Sequence, residues 1–262
     1  MAYTTLTLDI RDHIARLTLN RPEVGNALND AMARDLMDAA LQCSEDPTVR
    51  VVLFSGAGAT FCVGGDLKMF AAGGDQLPSG AKELTTYLHA AISFLARMDA
   101  PVIAVVQGAA AGAGLSLACA CDLLVAAESA RFRVAYTRVG LTPDGSSTYF
   151  LPRLIGLRRA LELTLTNRTL TTQEAYDWGL VNVVAPDAEL TMRAEELAAQ
   201  LVAGAPLALG AAKRLLHASW NTTLETQMAS ESQTIADITR TADTREGIAA
   251  FVEKRTPHYT GK

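Results

Sequence analysis

Apolar and polar residues alternate over residues 3–9 and again over 13–19, a period of two that predicts a pair of hairpin strands. Arg21-Pro22 closes the second strand, and Asn29 stands where it can cap a helix running to about Ser44. Met32, Leu36, Ala40 and Cys43 give that helix one apolar stripe. Residues 51–55 are a β-branched, apolar run that predicts a buried strand, and a glycine-rich loop follows over 56–65. Leu84, Leu88, Ile92 and Leu95 supply the core face of a second helix. Residues 101–107 predict another buried strand, a helix opens at Gly112, and residues 122–127 return to strand. Strands alternating with helices in this way predict an α/β domain with a largely parallel sheet.

From Ser146 onward the pattern becomes almost wholly helical. Thr171, Thr172, Gln173 and Glu174 read as a capping box that opens a helix. Residues 181–184 predict one last strand, and three further amphipathic helices follow to about Lys254. Leu197, Leu201, Val202 and Leu209 are more apolar surface than these helices can bury within one chain, which points to packing between subunits.

Composition narrows the function classes. Hydrophobic residues make up 49% of the 262, enough for a large core, and 28 Asp and Glu against 23 Lys and Arg leave no basic block for nucleic acid or a membrane surface. A phosphorylated ligand would have to be met by a few local Lys or Arg. Cys119 and Cys121 form a C-x-C pair with no second pair and no clustered histidines, so neither a zinc site nor a disulfide framework is expected. The reducing compartment this implies, and an opening without a charged-then-apolar leader, predict a cytoplasmic protein. The longest apolar stretch, residues 101–121, is broken by Gln107, three glycines and Ser116 and makes a poor membrane span.

The candidate chemistry lies in two glycine loops. Phe61-Cys62-Val63-Gly64-Gly65-Asp66 follows one buried strand; Gly108 to Ser116 follows another and enters a helix at Gly112. Glycines let backbone approach a ligand closely, and a helix N-terminus presents free amides and a positive dipole end. Two amides converging on one oxygen make an oxyanion hole, worth about 3–4 kcal/mol per donor. Such glycine runs are also commonly tight turns or close packing sites. Neither loop matches a phosphate-binding motif, and the spacing of Gly108, Gly112 and Gly114 is wrong for a dinucleotide fingerprint.

The ordered motifs carry a resemblance that spans nearly the whole chain. They are Asn20-Arg21-Pro22 with Asn26-Ala27-Leu28, residues 61–66, the segment from Gln107 ending Ala120-Cys121-Asp122, Leu151-Pro152-Arg153-Leu154-Ile155-Gly156, Glu174-Ala175 with Trp178-Gly179-Leu180-Val181, and Arg245-Glu246-Gly247 with residues 251–255. In these the chain resembles the enoyl-CoA hydratase/isomerase (crotonase) superfamily. The resemblance implies an α/β crotonase (ClpP-like) fold: ββα units wound into a superhelical acyl-CoA-binding core over residues 1–200, and a C-terminal helical region over 201–262 used in trimerisation, as a homotrimer or a dimer of trimers. It implies an acyl-CoA substrate, with coenzyme A arriving as part of that substrate and no permanently bound cofactor. The family's paired oxyanion amides fall on Gly65 and Ala113. The coenzyme-binding positions fall on Arg21, Ala27, Val63, Gly64, Asp66, Leu67 and Gly112, with Phe251 and Lys254 reaching the coenzyme of a neighbouring subunit. Phe251 and Lys254 also suit an ordinary amphipathic helix end, and Asp66 suits a loop-stabilising residue.

The acid–base positions depart from the hydratases that the chain resembles. Those carry two glutamates; here the matching positions hold Ser116 and Tyr136, neither of which is a base at neutral pH. Ser116 is expected to be a small packing residue that leaves room in the acyl pocket. A carboxylate stands at Asp144, where the enoyl-CoA and ring-epoxyphenylacetyl-CoA isomerases have a Pro-Asp acid/base and the chlorobenzoyl-CoA dehalogenases have a nucleophilic aspartate. Pro143-Asp144 is isomerase-like. The segment Leu165-Thr166-Asn167-Arg168-Thr169-Leu170 and His89 match the dehalogenase branch, and Tyr136 stands where that branch has an orienting tryptophan. Asp144 precedes Gly145-Ser146-Ser147 at an expected helix start and suits a cap as well; His89, beside the Leu84–Leu88–Ile92 stripe, suits an ordinary helix-edge residue. The expected activity is double-bond isomerisation with Asp144 as acid/base, the alternatives being hydrolytic dehalogenation through Asp144 and acyl-CoA binding without catalysis.

Overall fold

The computed structural model describes residues 3–262. The first strands are β1 (Leu6–Arg11) and β2 (Ile14–Leu19), an antiparallel hairpin with Leu6 opposite Leu19. It starts later than the alternation predicts, because the Thr4 and Thr5 amides donate to Asp35 Oδ2, and Asp12 and His13, both at positive φ, form the turn. Asn29 caps α1 (Asp30–Glu45) by accepting the Met32 amide at 2.9 Å, and the predicted stripe is buried. β3 (Val51–Gly56) leads through the glycine loop to α2 (Leu67–Ala72) and the long α3 (Leu77–Arg97). β4 (Val102–Val106), the short β5 (Ala109–Ala111), α4 (Ala113–Ala120) and β6 (Leu123–Ala127) follow. β7 is Arg131–Arg133; α5 is Ser147–Ile155 and α6 is Leu157–Thr166. β8 (Leu170–Thr171) runs into α7 (Thr172–Asp177), whose Thr171–Glu174 capping box is present as predicted. β9 (Val183–Ala185) is the last strand.

The main sheet has the order β1-β2-β3-β4-β6-β9, parallel except for the opening hairpin. Its central strands are runs such as Val-Ile-Ala-Val-Val, buried along their length and therefore without the alternation of a half-exposed strand. α1 packs on α3, and α8 (Leu190–Val202) lies against β3, β4 and β6.

A second sheet, β5-β7-β8, went unforeseen: residues 109–111 read as part of a glycine loop and residues 170–171 as part of an all-helical stretch. Strands of two or three residues are too short to show a period. After β9 there are four long helices, not three: α8, α9 (Pro206–Ala218), α10 (Leu224–Ile238) and α11 (Ala242–Glu253). α10 buries none of its side chains, and α11 leaves Ile248, Phe251 and Val252 exposed. Among the described residues no helix is long and apolar enough to cross a membrane.

Candidate active site

The two glycine loops meet, and the reason is local. Cys62 bridges β5 as a short parallel strand, accepting the Ala111 amide at 2.9 Å and donating its own to Ala109 O at 3.1 Å. Leu28 bridges Gly65, its amide donating to Gly64 O and its carbonyl accepting the Asp66 amide, both at 2.8 Å. The fully buried Asn26 holds the other end: its carboxamide donates to the carbonyls of Ala57, Thr60 and Phe61 and accepts the Arg21 amide. Gly64 has φ +104°, and a β-carbon there would lie 2.9 Å from Ala111 O and 3.4 Å from the Ala113 nitrogen. Gly114 allows the same approach from the helix side.

The bonding leaves several amides of these loops without an acceptor, those of Gly65 and Ala113 among them. Val63 N donates to Gly25 O, Gly64 N to the Cys62 sulfur, Asp66 N to Leu28 O and Gly112 N to Arg133 O. Among the described residues Gly65 N has no partner, and Ala113 N is the first amide of α4, the carbonyl four residues before it, Ala109 O, being taken by the Cys62 amide. These are the two amides the sequence singled out. Both Gly65 and Ala113 line a cleft of about 460 Å³, with Val63, Gly64, Leu67 and Gly112 on the same side. Phe70, Leu84 and Leu141 make apolar wall, and Arg133, Arg138, Tyr136 and Asp144 supply the charge and polarity.

Asp144 is the one carboxylate among the described residues lining this cleft. Its side chain does not cap α5. Ser146 holds the cap position at φ +64° without a side-chain bond, while Asp144 Oδ1 accepts a hydrogen bond from the Tyr136 hydroxyl. Asp144 Oδ2 has no partner among the described residues. Burial, and then the adjacent Asp144 charge, push the Tyr136 hydroxyl well above its ordinary value, so it keeps its proton and acts as a donor.

Ser116 does more than the packing expected of it. It is fully buried, its Oγ lies 2.9 Å from Asp144 O and 3.1 Å from the Tyr136 oxygen, and it does not line the cleft. It anchors the Asp144 loop from behind.

Other predicted site residues stand elsewhere. Arg21 donates to Ala27 O at 2.5 Å and pairs with Asp66 at 3.2 Å, and Asp66 also caps α2. Arg21 and Ala27 therefore lash the loop and do not line the cleft. His89 lines a neighbouring cavity, its Nε2 accepting the Gly145 amide at 3.3 Å. Phe251 and Lys254 sit exposed at the end of α11, outside the cleft of their own chain. Arg133 and Arg138 were missed as lining residues. Arg133 follows Phe132 in an exposed–buried–half-buried strand too short to be read from its pattern.

The model of the enoyl-CoA hydratase/isomerase family matches residues 9–262. The chain belongs to the enoyl-CoA hydratase/isomerase family. Members of the family are enzymes of acyl-CoA thioesters, which is what a pair of free amides at the head of an apolar cleft suits. A probable enoyl-CoA hydratase from Rhodobacter capsulatus is 39% identical over 100% of both chains. The 1,2-epoxyphenylacetyl-CoA isomerase of Escherichia coli is 37% identical over 95% of each, and a 4-chlorobenzoyl coenzyme A dehalogenase from an Arthrobacter species is 35% identical over 88% of this chain and 84% of its own. The crystal structure of an enoyl-CoA hydratase from a Polaromonas species superposes with a TM-score of 0.93, covering 97% of this chain and 99% of that one at 37% identity. The fold is therefore the crotonase fold.

Proposed function

We propose that this enzyme moves a carbon–carbon double bond within an unsaturated acyl-CoA, with Gly65 and Ala113 as the oxyanion hole and Asp144 as its single acid/base. The observation that carries the reading is Asp144 itself: one carboxylate, in the cleft that holds both free amides, with one oxygen fixed by Tyr136 and the other free. The thioester oxygen sits between the two amides, which favour the enolate as charge develops on it. Asp144 Oδ2 removes the α-proton of a β,γ-unsaturated thioester; the electrons delocalise to the γ-carbon, and the same carboxyl returns the proton there. One group suffices, since proton loss and gain are sequential. Hydration requires a second positioned acid or base, and Ser116 and Tyr136 stand at the two positions that would hold them. Coenzyme A enters with the substrate and no resident cofactor takes part. The acyl group is fatty or phenylacetyl-derived, matched to the apolar wall of Phe70, Leu84 and Leu141.

Conversion of a β,γ-enoyl-CoA to the conjugated isomer, followed by absorbance of the conjugated thioester, tests this. Asp144→Asn is expected to lower kcat by about 10²–10⁴-fold; an undiminished rate sinks the assignment.

The unpartnered Oδ2 also suits a nucleophile, and the likeness to the Arthrobacter protein supports a second reading, aryl-CoA dehalogenation through an Asp144 ester. Chloride release from a chlorobenzoyl-CoA, with solvent oxygen label entering Asp144 in a single turnover, distinguishes it. His89 favours isomerisation, because it faces the neighbouring cavity and not the cleft where such an ester would be hydrolysed.

A further inference from the structure

A second cavity, of about 620 Å³, lies behind the Asp144 loop between α3, α5 and α9. Asp144 lines the acyl cleft and Ser146 lines this cavity, so a three-residue segment forms part of the wall between them. No Asp or Glu is among its lining residues; Arg97, Arg214, His89 and His217 are. Arg97 ends α3 and has no hydrogen-bonding or ion-pair partner among the described residues. Asp99 engages one nitrogen of Arg214 and leaves the rest of that guanidinium available.

The two histidines on this wall are each held by a neighbour. His89 Nε2 accepts the Gly145 amide, so the proton of the neutral ring is on Nδ1, a donor with no partner among the described residues. His217 Nε2 faces Asp122 Oδ1 at 3.5 Å, and Asp122 is further held by Lys213 at 2.7 Å and by the Val102 amide at 2.8 Å. The remaining wall is apolar, with Ile92 below and the Phe150 ring set edge-on to His217 at 6.3 Å.

We propose that this cavity is a binding site for a small carboxylic acid with an apolar body, aryl or aliphatic, separate from the acyl-CoA cleft. Two guanidinium groups match a planar carboxylate in a way that a single surface lysine does not. The apolar wall selects an organic acid over an inorganic anion. The ligand's carboxylate takes the cationic side, and its body covers Ile92 and Phe150.

Calorimetric titration of the full chain with benzoate and with hexanoate, alongside benzamide and sulfate at matched ionic strength, tests the proposal. Saturable binding of at least one carboxylate is expected, with benzamide and sulfate about tenfold weaker or worse, the scale of one charge-assisted hydrogen bond. Arg97→Gln and Arg214→Gln, both at exposed positions that leave the fold intact, should each weaken carboxylate binding by about tenfold. Saturating butyryl-CoA should leave it unchanged. Any of four results overturns the proposal: no carboxylate binding, benzamide bound equally well, affinity unaltered in both arginine variants, or displacement by butyryl-CoA, which would put the probe in the acyl cleft.

Discussion

Gly114→Ala probes whether the rate depends on how closely the two glycine loops pack. A β-carbon at Gly114 falls 2.2 Å from Cys62 O and 2.8 Å from both the Cys62 carbonyl carbon and Cβ. Carbon–oxygen contacts settle near 3.3 Å, so helix and loop must part by about 1 Å. Gly114 adjoins Ala113, and Cys62 leads through Val63 and Gly64 into Gly65. The displacement therefore falls on the gap between the two free amides, which must reach one oxygen together. A misplacement of about 1 Å costs on the order of 10²-fold in rate, less than the complete loss of a donor worth about 3–4 kcal/mol. Overpacking at a tight contact also costs about 1–3 kcal/mol of stability, a drop in Tm of a few degrees for a chain of this size. The assay is kcat/KM on a β,γ-enoyl-CoA, with a circular dichroism melt to establish that the variant is folded. A folded Gly114→Ala enzyme whose kcat/KM stays within about threefold of the parent refutes the argument that this contact sets the oxyanion hole.

Burial pushes the thiols of Cys43, Cys62 and Cys119 up to about 12 and that of Cys121 higher still, so none is a thiolate near neutrality. Iodoacetamide at about pH 8 should leave the native protein unmodified and alkylate four cysteines in denaturant; rapid labelling of the native protein contradicts this. The Thr171 amide and the Arg168 guanidinium hold Glu174 down to about 2, against 4.5 unfolded. The stability this confers is complete above pH 4.5 and is lost as pH falls toward 2, so Glu174→Gln should lower stability at pH 6 and flatten its fall over that window, measured by urea midpoints. Phe251 is 85% exposed beside Val252 and Ile248, an apolar patch that suits burial between copies of the chain. Light scattering should give a trimer for the parent and a smaller species for Phe251→Asp; an unchanged mass removes that patch from the interface.

Much of this site was legible because its signals are local. A capping asparagine, β-branched runs and glycines where loops touch each leave a mark within a few residues. The Asn29 cap and the Thr171–Glu174 box came out as read for that reason. The β5-β7-β8 sheet left none. Its strands gain their identity from partners distant in the chain, as Ala110 opposite Phe132 and Phe132 opposite Leu170. Arg21 and Ala27 match coenzyme-binding positions by motif, and the three-dimensional path adds that Arg21 holds the Ala27 carbonyl and Asp66.

Ser116 and Tyr136 read in sequence as two separate absences of glutamate. In space they are one arrangement: the serine oxygen lies 3.1 Å from the tyrosine oxygen, and both contact Asp144. A β-carbon at Gly145 would lie 2.8 Å from Ser116 Cβ, so the Asp144 loop rests directly on the serine and has no slack to move away from a larger residue. A glutamate at position 116 would need the volume now filled by the Asp144 carbonyl and the Tyr136 hydroxyl. Restoring the first glutamate of a hydratase would thus displace Asp144, and a phenylalanine at 136 would release its Oδ1 without making room for a second carboxylate. The two kinds of acid–base site compete for the same space here. Single substitutions toward glutamate should therefore cost Asp144-dependent turnover without conferring hydration, and only a joint exchange that also rebuilds the 144–147 turn can exchange one chemistry for the other.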